Sequence, residues 1–185
     1  MSMHLILGGV RSGKSNYAQK LAEKNKKVLY VATANAKDEG MVERVKRHRA
    51  DRPKEWETLE AYRDFSQHQD QLQKAEFVIV DCLTLMISRL MFEKEERVEH
   101  FVWEPEELLE VEHIVYAQIN ELLDALGHTP CALVSNEVGL GVVPESWLGN
   151  IFRDIAGRVH QMVAKRADRV TLMVAGIPVN VKEDS

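Results

Sequence analysis

The stretch "LILGGVRSGKS", residues 5–15, joins an apolar run to a glycine-rich loop that ends in Gly13-Lys14-Ser15. From Gly8 onward it fits the pattern G-x-x-x-x-G-K-[ST], in which backbone N–H groups surround phosphate oxygens. The apolar run predicts a buried strand, and the residues after the loop predict a helix whose N-terminus favours an anion. Because strand, loop and helix follow in this order, we predict a phosphate-binding loop.

The loop supplies most of the candidate site residues. Lys14 can reach the β- and γ-phosphates of a nucleotide, and the Ser15 hydroxyl can ligate Mg²⁺. The candidate triphosphate-binding residues are Gly8, Gly9, Val10, Arg11, Ser12, Gly13, Lys14 and Ser15.

A second motif, "FVIVDCLT", places Asp81 directly after four apolar residues. A carboxylate at the end of a neighbouring strand is where a phosphate-loop protein holds its metal ion. Ser15 and Asp81 are therefore the candidate Mg²⁺ ligands, and a nucleoside triphosphate is the expected ligand. Hydrolysis, phosphorylation of a small molecule and nucleotidyl transfer all remain compatible with these two motifs.

The bulk properties limit the possible partners. At 185 residues the chain suits one domain, and its net charge of -5 provides no basic field for non-specific nucleic-acid binding. No apolar stretch approaches the roughly 20 residues that span a bilayer, and the N-terminus lacks a signal-peptide pattern. The two cysteines, Cys82 and Cys131, lie in apolar runs and fit a reducing compartment. We predict a cytoplasmic protein without membrane insertion.

Short apolar runs alternate with helical patterns along the chain, which predicts a mainly parallel sheet with helices on both faces. The predicted strands are "HLILGG", "KVLYVAT", "EFVIVDC", "CALVSNE" and "RVTLMVAG", with "IPVNVK" as a possible edge strand. The predicted helices span residues 14–23, 37–49, 59–74, 83–92, 105–126 and 144–167. We treat residues 1–185 as one domain with an acidic helical insertion around 92–112.

One basic segment, "ERVKRHRADRP" at residues 43–53, surrounds His48 with five cationic side chains. Neighbouring positive charges disfavour the imidazolium, so His48 is expected to stay neutral and nucleophilic toward phosphorus. Arginines can hold phosphate oxygens bidentately. The alternative is an exposed basic helix, and the residue types alone favour that alternative.

Several motifs together carry a family resemblance. "LILGGVRSGKS", "RVKRHRADRPKEWETLE", "VIVDCLTL", "SNEVGLGVVPE" and "MVAGIPV" occur in the order typical of bifunctional adenosylcobinamide kinase / adenosylcobinamide-phosphate guanylyltransferases. The resemblance implies a P-loop NTPase fold with a RecA-like sheet, and assembly as a homotrimer. It also implies phosphorylation of adenosylcobinamide by ATP or GTP, followed by transfer of GMP from GTP through a guanylyl-histidine to give adenosylcobinamide-GDP.

The resemblance also implies roles for residues outside the loop. His48 would be the guanylylated nucleophile, and Arg47 precedes it where many relatives carry a second histidine. Asp81 would contact the bound nucleotide near Mg²⁺. The remaining nucleotide-binding residues would be Thr33, Ala34, Asn35, Arg49, Ala50, Asp51, Arg52 and Glu60.

Three points stay open at the level of the sequence. The chain could instead be a P-loop kinase of another small hydroxylated metabolite, or a nucleotide-binding module without turnover. Glu60 is a candidate partner for a guanine or ribose group, or a carboxylate at the start of a helix. Asn136 and Glu137 follow a strand at the end where open α/β sheets bind ligands, but they equally fit a tight turn before Pro144.

Overall fold

The computed structural model describes residues 3–34, 53–93 and 103–183, and these contain one seven-stranded sheet. The strand order is β3-β2-β4-β5-β1-β6-β7, in which β1 to β6 are parallel and β7 pairs antiparallel with β6. The strands are β1 (Met3–Gly8), β2 (Val28–Ala32), β3 (Glu57–Glu60), β4 (Phe77–Asp81), β5 (Cys131–Asn136), β6 (Arg169–Val174) and β7 (Ile177–Lys182). The predicted mainly parallel sheet is confirmed, and the possible edge strand "IPVNVK" is found as β7.

Five α-helices flank this sheet in the described part of the chain. They are α1 (Lys14–Ala22), α2 (Gln69–Lys74), α3 (Leu83–Met91), α4 (Pro105–Leu126) and α5 (Trp147–Arg166), with a 3₁₀ turn at Phe65–His68. Helix α1 packs on one face through Ala18 and Ala22, and α3, α4 and α5 cover the other face. Apolar side chains therefore leave both faces of the central strands, as a buried parallel sheet requires.

The alternating direction of side chains along the strands divides the core into two layers. Ile6 and Ile79 point toward α1, whereas Leu5 and Val80 point toward the larger layer that contains α3, α4 and α5. All four side chains are fully buried. Each central strand thus contributes to both layers, which fixes the register of these strands and the positions of their carboxyl ends.

The helix predicted over residues 59–74 is wrong at its start but ends at Lys74 as predicted. Glu57–Glu60 form strand β3, which pairs in parallel with β2, and the chain becomes helical only at Phe65. The strand carries a single apolar side chain, Leu59, so its sequence lacks the buried run by which the central strands were identified. Its β conformation comes from hydrogen bonds with β2 at the sheet edge, which is a non-local contact.

The helix predicted from Pro144 instead begins at Trp147. The Ser146 hydroxyl accepts a hydrogen bond from the Gly149 N–H at 3.1 Å, so it caps the first turn of α5. The serine cap therefore overrides the start signal given by the proline.

The bounds predicted for α4 are confirmed at both ends. Pro105 occupies the first helical turn, and Glu104 forms a reciprocal capping box with Glu107. The described C-terminal part of the predicted acidic insertion, residues 103–112, includes buried Trp103 and Val111, while residues 94–102 lie outside the described residues. The extent of the domain and of its insertion therefore stays a prediction. No helix in the described ranges has the length and apolarity needed to cross a membrane.

Candidate active site

The carboxyl ends of the parallel strands bring the main predicted site residues to one edge of the sheet. Gly8 at the end of β1 lies opposite Asn136 of β5, and Ala32 at the end of β2 lies opposite Asp81 of β4. Strand β5 thus separates the strand that leads into the glycine-rich loop from the strand that ends in Asp81. A ligand on the loop would lie across the ends of β1, β5 and β4, where open α/β sheets bind their ligands.

The glycine-rich loop has a compact shape that depends on two glycines. A Cβ at Gly8 would lie 2.6 Å from both the Met173 carbonyl oxygen and the Ser12 Oγ. Gly13, at φ +92°, approaches Gly176 so closely that a Cβ would lie 3.3 Å from its Cα. Gly176 N–H also donates to the Ser12 carbonyl at 3.0 Å. The β6–β7 turn therefore packs directly against the glycine-rich loop, and this close approach requires glycine at the contact.

Replacing Gly8 tests this close approach. We expect Gly8→Ala to lower the free energy of unfolding by about 1–3 kcal/mol, because the new methyl group would overlap a backbone carbonyl. Gly9→Ala is the matched control, since a Cβ there meets no atom within 4 Å. Its unfolding free energy should change by no more than about 0.5 kcal/mol. Urea unfolding of both variants measures the difference, and equal stabilities would contradict the described loop geometry.

Lys14 turns its ammonium group into the loop. Its Nζ donates to the Gly9 carbonyl at 2.6 Å and lies 3.4 Å from the Ser12 Oγ, and only 7% of the residue is exposed. The positive charge is thus enclosed by the backbone that the motif assigns to phosphate binding. An anion in the loop would meet both this charge and the N-terminus of α1.

Ser15 and Asp81, predicted as a pair from separate motifs, are in direct contact. The Ser15 hydroxyl donates to Asp81 Oδ2 at 2.8 Å, and the Tyr30 hydroxyl donates to the same oxygen at 2.5 Å. Tyr30 was not among the predicted site residues, because it lies inside an apolar strand and reads as core. The tyrosine in an otherwise aliphatic run is the only sequence signal for it.

The oxygen atoms of Ser15 and Asp81 are suitable ligands for Mg²⁺. This ion prefers oxygen donors and is usually held by one or two carboxylates together with substrate phosphates. Within residues 3–34, 53–93 and 103–183, no group of three or more His, Cys, Asp or Glu side chains forms a metal cluster. The donor set therefore fits an ion that shares its ligands with a phosphate chain.

Thr33 links the ends of β2 and β4. Its Oγ1 donates to the Cys82 carbonyl at 2.7 Å and accepts from the Cys82 N–H at 2.8 Å, while its own N–H donates to the Asp81 carbonyl. The residue is fully buried, so its side chain serves this link. Ala34 follows and is half-buried. Burial, with a smaller effect of nearby Asp81, raises the pKa of Cys82 to about 11, so this thiol stays protonated.

A second cluster, also missed from the sequence, adjoins the Thr33 carbonyl. Arg89 of α3 donates to that carbonyl at 3.0 Å, and its guanidinium carbon lies 3.5 Å from the centre of the Tyr62 ring. Glu93 accepts hydrogen bonds from Tyr62 and Arg63. The cluster fixes the end of β2 immediately before residues 35–52. Its members come from two distant segments, so no local pattern indicates it.

Glu60 ends β3 directly opposite Ala32. It is exposed at the same edge of the sheet as Asp81, with β2 between the two strands. Of the two interpretations of Glu60, the start of a helix is excluded because the residue belongs to a strand.

Six predicted site residues lie outside the described residues, so no geometry is assigned to them. They are Asn35, His48, Arg49, Ala50, Asp51 and Arg52. The segment that contains them begins after Ala34, just beyond the carboxyl end of β2 at the described site edge, and the described chain resumes at Pro53, ahead of the amino end of β3.

Comparison with solved structures supports the fold. A prototypical ATPase from the type III secretion system of pathogenic bacteria has a TM-score of 0.53 at 11% identity, covering 92% of this chain and 51% of that chain. A protein from Pyrococcus horikoshii OT3 has a TM-score of 0.51 at 8% identity, covering all of this chain and 87% of that chain. At such low identity the likeness concerns the fold alone, and the predicted α/β phosphate-loop fold is confirmed.

Comparison of sequences is more specific. The protein named "Bifunctional adenosylcobalamin biosynthesis protein CobU" of Escherichia coli K12 is 40% identical over 97% of this chain and 99% of its own length. The protein of Pseudomonas aeruginosa named "Bifunctional adenosylcobalamin biosynthesis protein CobP" is 40% identical over 96% of both chains. The family model CobU, described as "Cobinamide kinase / cobinamide phosphate guanyltransferase", matches residues 4–181. As the resemblance of its motifs predicted, the chain belongs to this cobinamide kinase / cobinamide phosphate guanyltransferase family.

Proposed function

We propose that the chain catalyses both reactions of its family, phosphorylation of adenosylcobinamide and transfer of GMP from GTP to the resulting phosphate. The observation that carries this proposal is the contact between Ser15 and Asp81 beside the enclosed Lys14 ammonium. This contact supports the proposal because a phosphoryl-transfer site needs groups for the phosphates, the metal ion and the developing charge at one sheet edge. The family match over residues 4–181 is the basis for proposing a cobinamide substrate.

In the kinase reaction, the residues of the loop bind and orient the triphosphate. Backbone N–H groups between Gly8 and Ser15 hold the phosphate oxygens, and Lys14 offsets the charge that develops as the γ-phosphoryl group leaves. Mg²⁺, held by Ser15 and Asp81 together with the nucleotide, would neutralise phosphate charge. Tyr30 keeps the Asp81 carboxylate oriented toward Ser15 by its hydrogen bond. Val10, Arg11 and Ser12 complete the loop.

In the guanylyl transfer, His48 attacks the α-phosphorus of GTP, forming an N–P bond as pyrophosphate leaves. The phosphate of adenosylcobinamide phosphate then displaces the histidine to give adenosylcobinamide-GDP. Arg49 and Arg52 stabilise the transferred phosphate, and Ala50 and Asp51 lie beside them in sequence. The Arg89–Thr33 hydrogen bond supports this step because it anchors the start of the segment that carries Asn35 and His48.

The finer properties proposed here are Mg²⁺ dependence, a homotrimer and a cytoplasmic location. Edge strand β7 supports assembly, since Ile177, Val179 and Val181 are exposed on one of its sides. The free thiols Cys82 and Cys131 support a reducing compartment. Light scattering of the purified chain measures its mass, and a value other than three chains would contradict the trimer.

The metal-binding role of Asp81 provides a test. We expect Asp81→Asn to lower the rates of both reactions by about 100-fold or more, because the neutral amide cannot hold the cation beside the phosphates. Asp70→Asn is the matched control, since Asp70 is exposed on α2, where its carboxylate lies 3.7 Å from the Lys74 ammonium. Product formation from adenosylcobinamide, ATP and GTP is followed by chromatography at several Mg²⁺ concentrations. Unchanged rates in the Asp81 variant would contradict the assignment.

A further inference from the structure

Three polar side chains lie close together at the carboxyl end of β5. The Ser135 Oγ lies 2.7 Å from His160 Nε2, and His160 Nδ1 lies 3.8 Å from Glu137 Oε2. The second carboxylate oxygen of Glu137 accepts a hydrogen bond from the Gly139 N–H at 2.5 Å. The turn therefore binds one oxygen of the Glu137 carboxylate, and the imidazole lies beside the other.

The arrangement has the residue types of a hydrolytic triad but not its accessibility. Ser135 is completely buried, so its hydroxyl cannot reach a substrate. Burial lowers the pKa of His160, and nearby Glu137 opposes this shift only partly. A neutral, buried imidazole bonded to a buried hydroxyl is suited to orienting the carboxylate. The accessible member of the group is Glu137, whose side chain is 20% exposed.

Glu137 lies next to the phosphate-binding loop. Its N–H donates to the Gly8 carbonyl at 2.9 Å, which joins it to the first residue of the loop motif. Strand β5 lies between β1 and β4, so residue 137, which directly follows β5, lies between the glycine-rich loop and the strand that ends in Asp81. Helix α1, which begins with Lys14 and Ser15, lies across β5 and β4. The end of β5 thus lies beside the phosphate-binding loop and the start of α1.

The other described carboxylates at this edge have different positions or partners. Asp81 accepts hydrogen bonds from Ser15 and Tyr30. Glu60 ends β3, and β2 separates it from the strand of Asp81. Among these three described carboxylates, Glu137 is the one on the strand adjacent to β1. Its carboxylate lies toward α5 and His160, on the face of the sheet opposite α1.

We propose that Glu137 accepts the proton of the acceptor hydroxyl in the kinase reaction, and that His160 is the positioning residue that orients its carboxylate. This inference rests on the proposed kinase function. The acceptor hydroxyl oxygen of adenosylcobinamide forms a bond to the γ-phosphorus, and the bond from that phosphorus to the bridging oxygen breaks. The nucleoside diphosphate leaves with the electron pair of that bond, and the hydroxyl proton passes to Glu137.

The first test replaces the carboxylate by its isostere. We expect Glu137→Gln to reduce kcat of adenosylcobinamide phosphorylation by about 100-fold or more, with the KM for nucleotide unchanged. The amide oxygen can still accept from Gly139, so the turn is retained. Formation of the GMP adduct from GTP needs no acceptor hydroxyl and should proceed at the wild-type rate. Kinase turnover within threefold of wild type would overturn the proposal.

The second test separates a chemical role from a structural one. Glu137→Ala should lose the same turnover, and added formate should restore part of it, because a small carboxylate can occupy the vacated volume and accept the proton. The matched variant Glu145→Ala, at an exposed position in the same loop, should behave as wild type with or without formate. A Glu137→Ala enzyme that formate does not accelerate would overturn the proposal.

The positioning role of His160 has its own readout. We expect His160→Leu to lower kcat of phosphorylation by about tenfold without raising the KM for nucleotide, and His160→Gln to restore much of the loss because its amide can contact the carboxylate. Equal kcat values for the two variants would overturn the role of His160. If the wild-type chain itself forms no adenosylcobinamide phosphate, the proposed function fails, whereas an active wild type with equally active Glu137 variants refutes this inference alone.

Discussion

The His48→Ala variant is expected to form no GMP adduct after incubation with GTP and to lose guanylyl transfer by at least about 10³-fold. The alanine has no ring nitrogen to attack the α-phosphorus. Phosphorylation of adenosylcobinamide should persist in this variant, because Lys14, Ser15 and Asp81 lie in other segments of the chain. The two activities would then be separated by a single substitution. Radiolabelled GTP, with the label in the α-phosphate, measures the adduct directly.

The expected reactivity of His48 depends on its charged neighbours. The surrounding cations are Arg44, Lys46, Arg47, Arg49 and Arg52. We expect these positive charges to oppose protonation of the imidazole and to attract the triphosphate, which would favour both the nucleophilic form of His48 and the binding of GTP. His113→Ala is a suitable control, since His113 is exposed on α4. Adduct formation at the wild-type rate in the His48 variant would move the nucleophile to another residue.

The Lys14→Ala variant should lose both reactions by about 10²–10³-fold, which corresponds to about 3–4 kcal/mol of transition-state stabilisation. The Lys14 ammonium is enclosed by the loop, with its Nζ 2.6 Å from the Gly9 carbonyl. A charge in such a water-poor position acts strongly on developing phosphate charge. We propose that both reactions use a triphosphate bound in the glycine-rich loop, so the rates of both reactions should decrease together.

A control for Lys14 is available on the same helix. Lys20 is exposed near the C-terminal end of α1, so Lys20→Ala should retain both activities. Assays of phosphate transfer and GMP adduct formation in the two variants complete the comparison. A Lys14→Ala enzyme that loses only the kinase reaction would indicate that GTP binds elsewhere during guanylyl transfer.

Most of the fold follows from local patterns in the sequence. The central strands are continuous apolar runs, and α4 begins and ends where its proline and its apolar periodicity predict. Strand β3 was missed because only one of its four residues is apolar, and its pairing partner β2 is distant in sequence. An edge strand of this kind is set by pairing in the folded sheet, which a local pattern does not contain.

Only some of the contacts in the candidate site could be predicted from the sequence. The contact between Ser15 and Asp81 was predictable, because each belongs to a motif with a known place on a parallel sheet. Tyr30 and Arg89 were not, since their functional contacts cross between β2, β4 and α3. Hydrophobic periodicity assigns Tyr30 to the core, and it is indeed 1% exposed. Its hydroxyl group, at the end of a buried ring, is what reaches Asp81.

The most direct measurement is to locate the covalent GMP group on the full chain after incubation with GTP and Mg²⁺, by peptide mass spectrometry under conditions that preserve phosphoramidates. We expect one modified residue, His48, with an adduct that is labile to acid and disappears when adenosylcobinamide phosphate is added. An adduct on any other residue, or adenosylcobinamide-GDP formation without an enzyme-bound intermediate, would contradict the proposed guanylylation of His48.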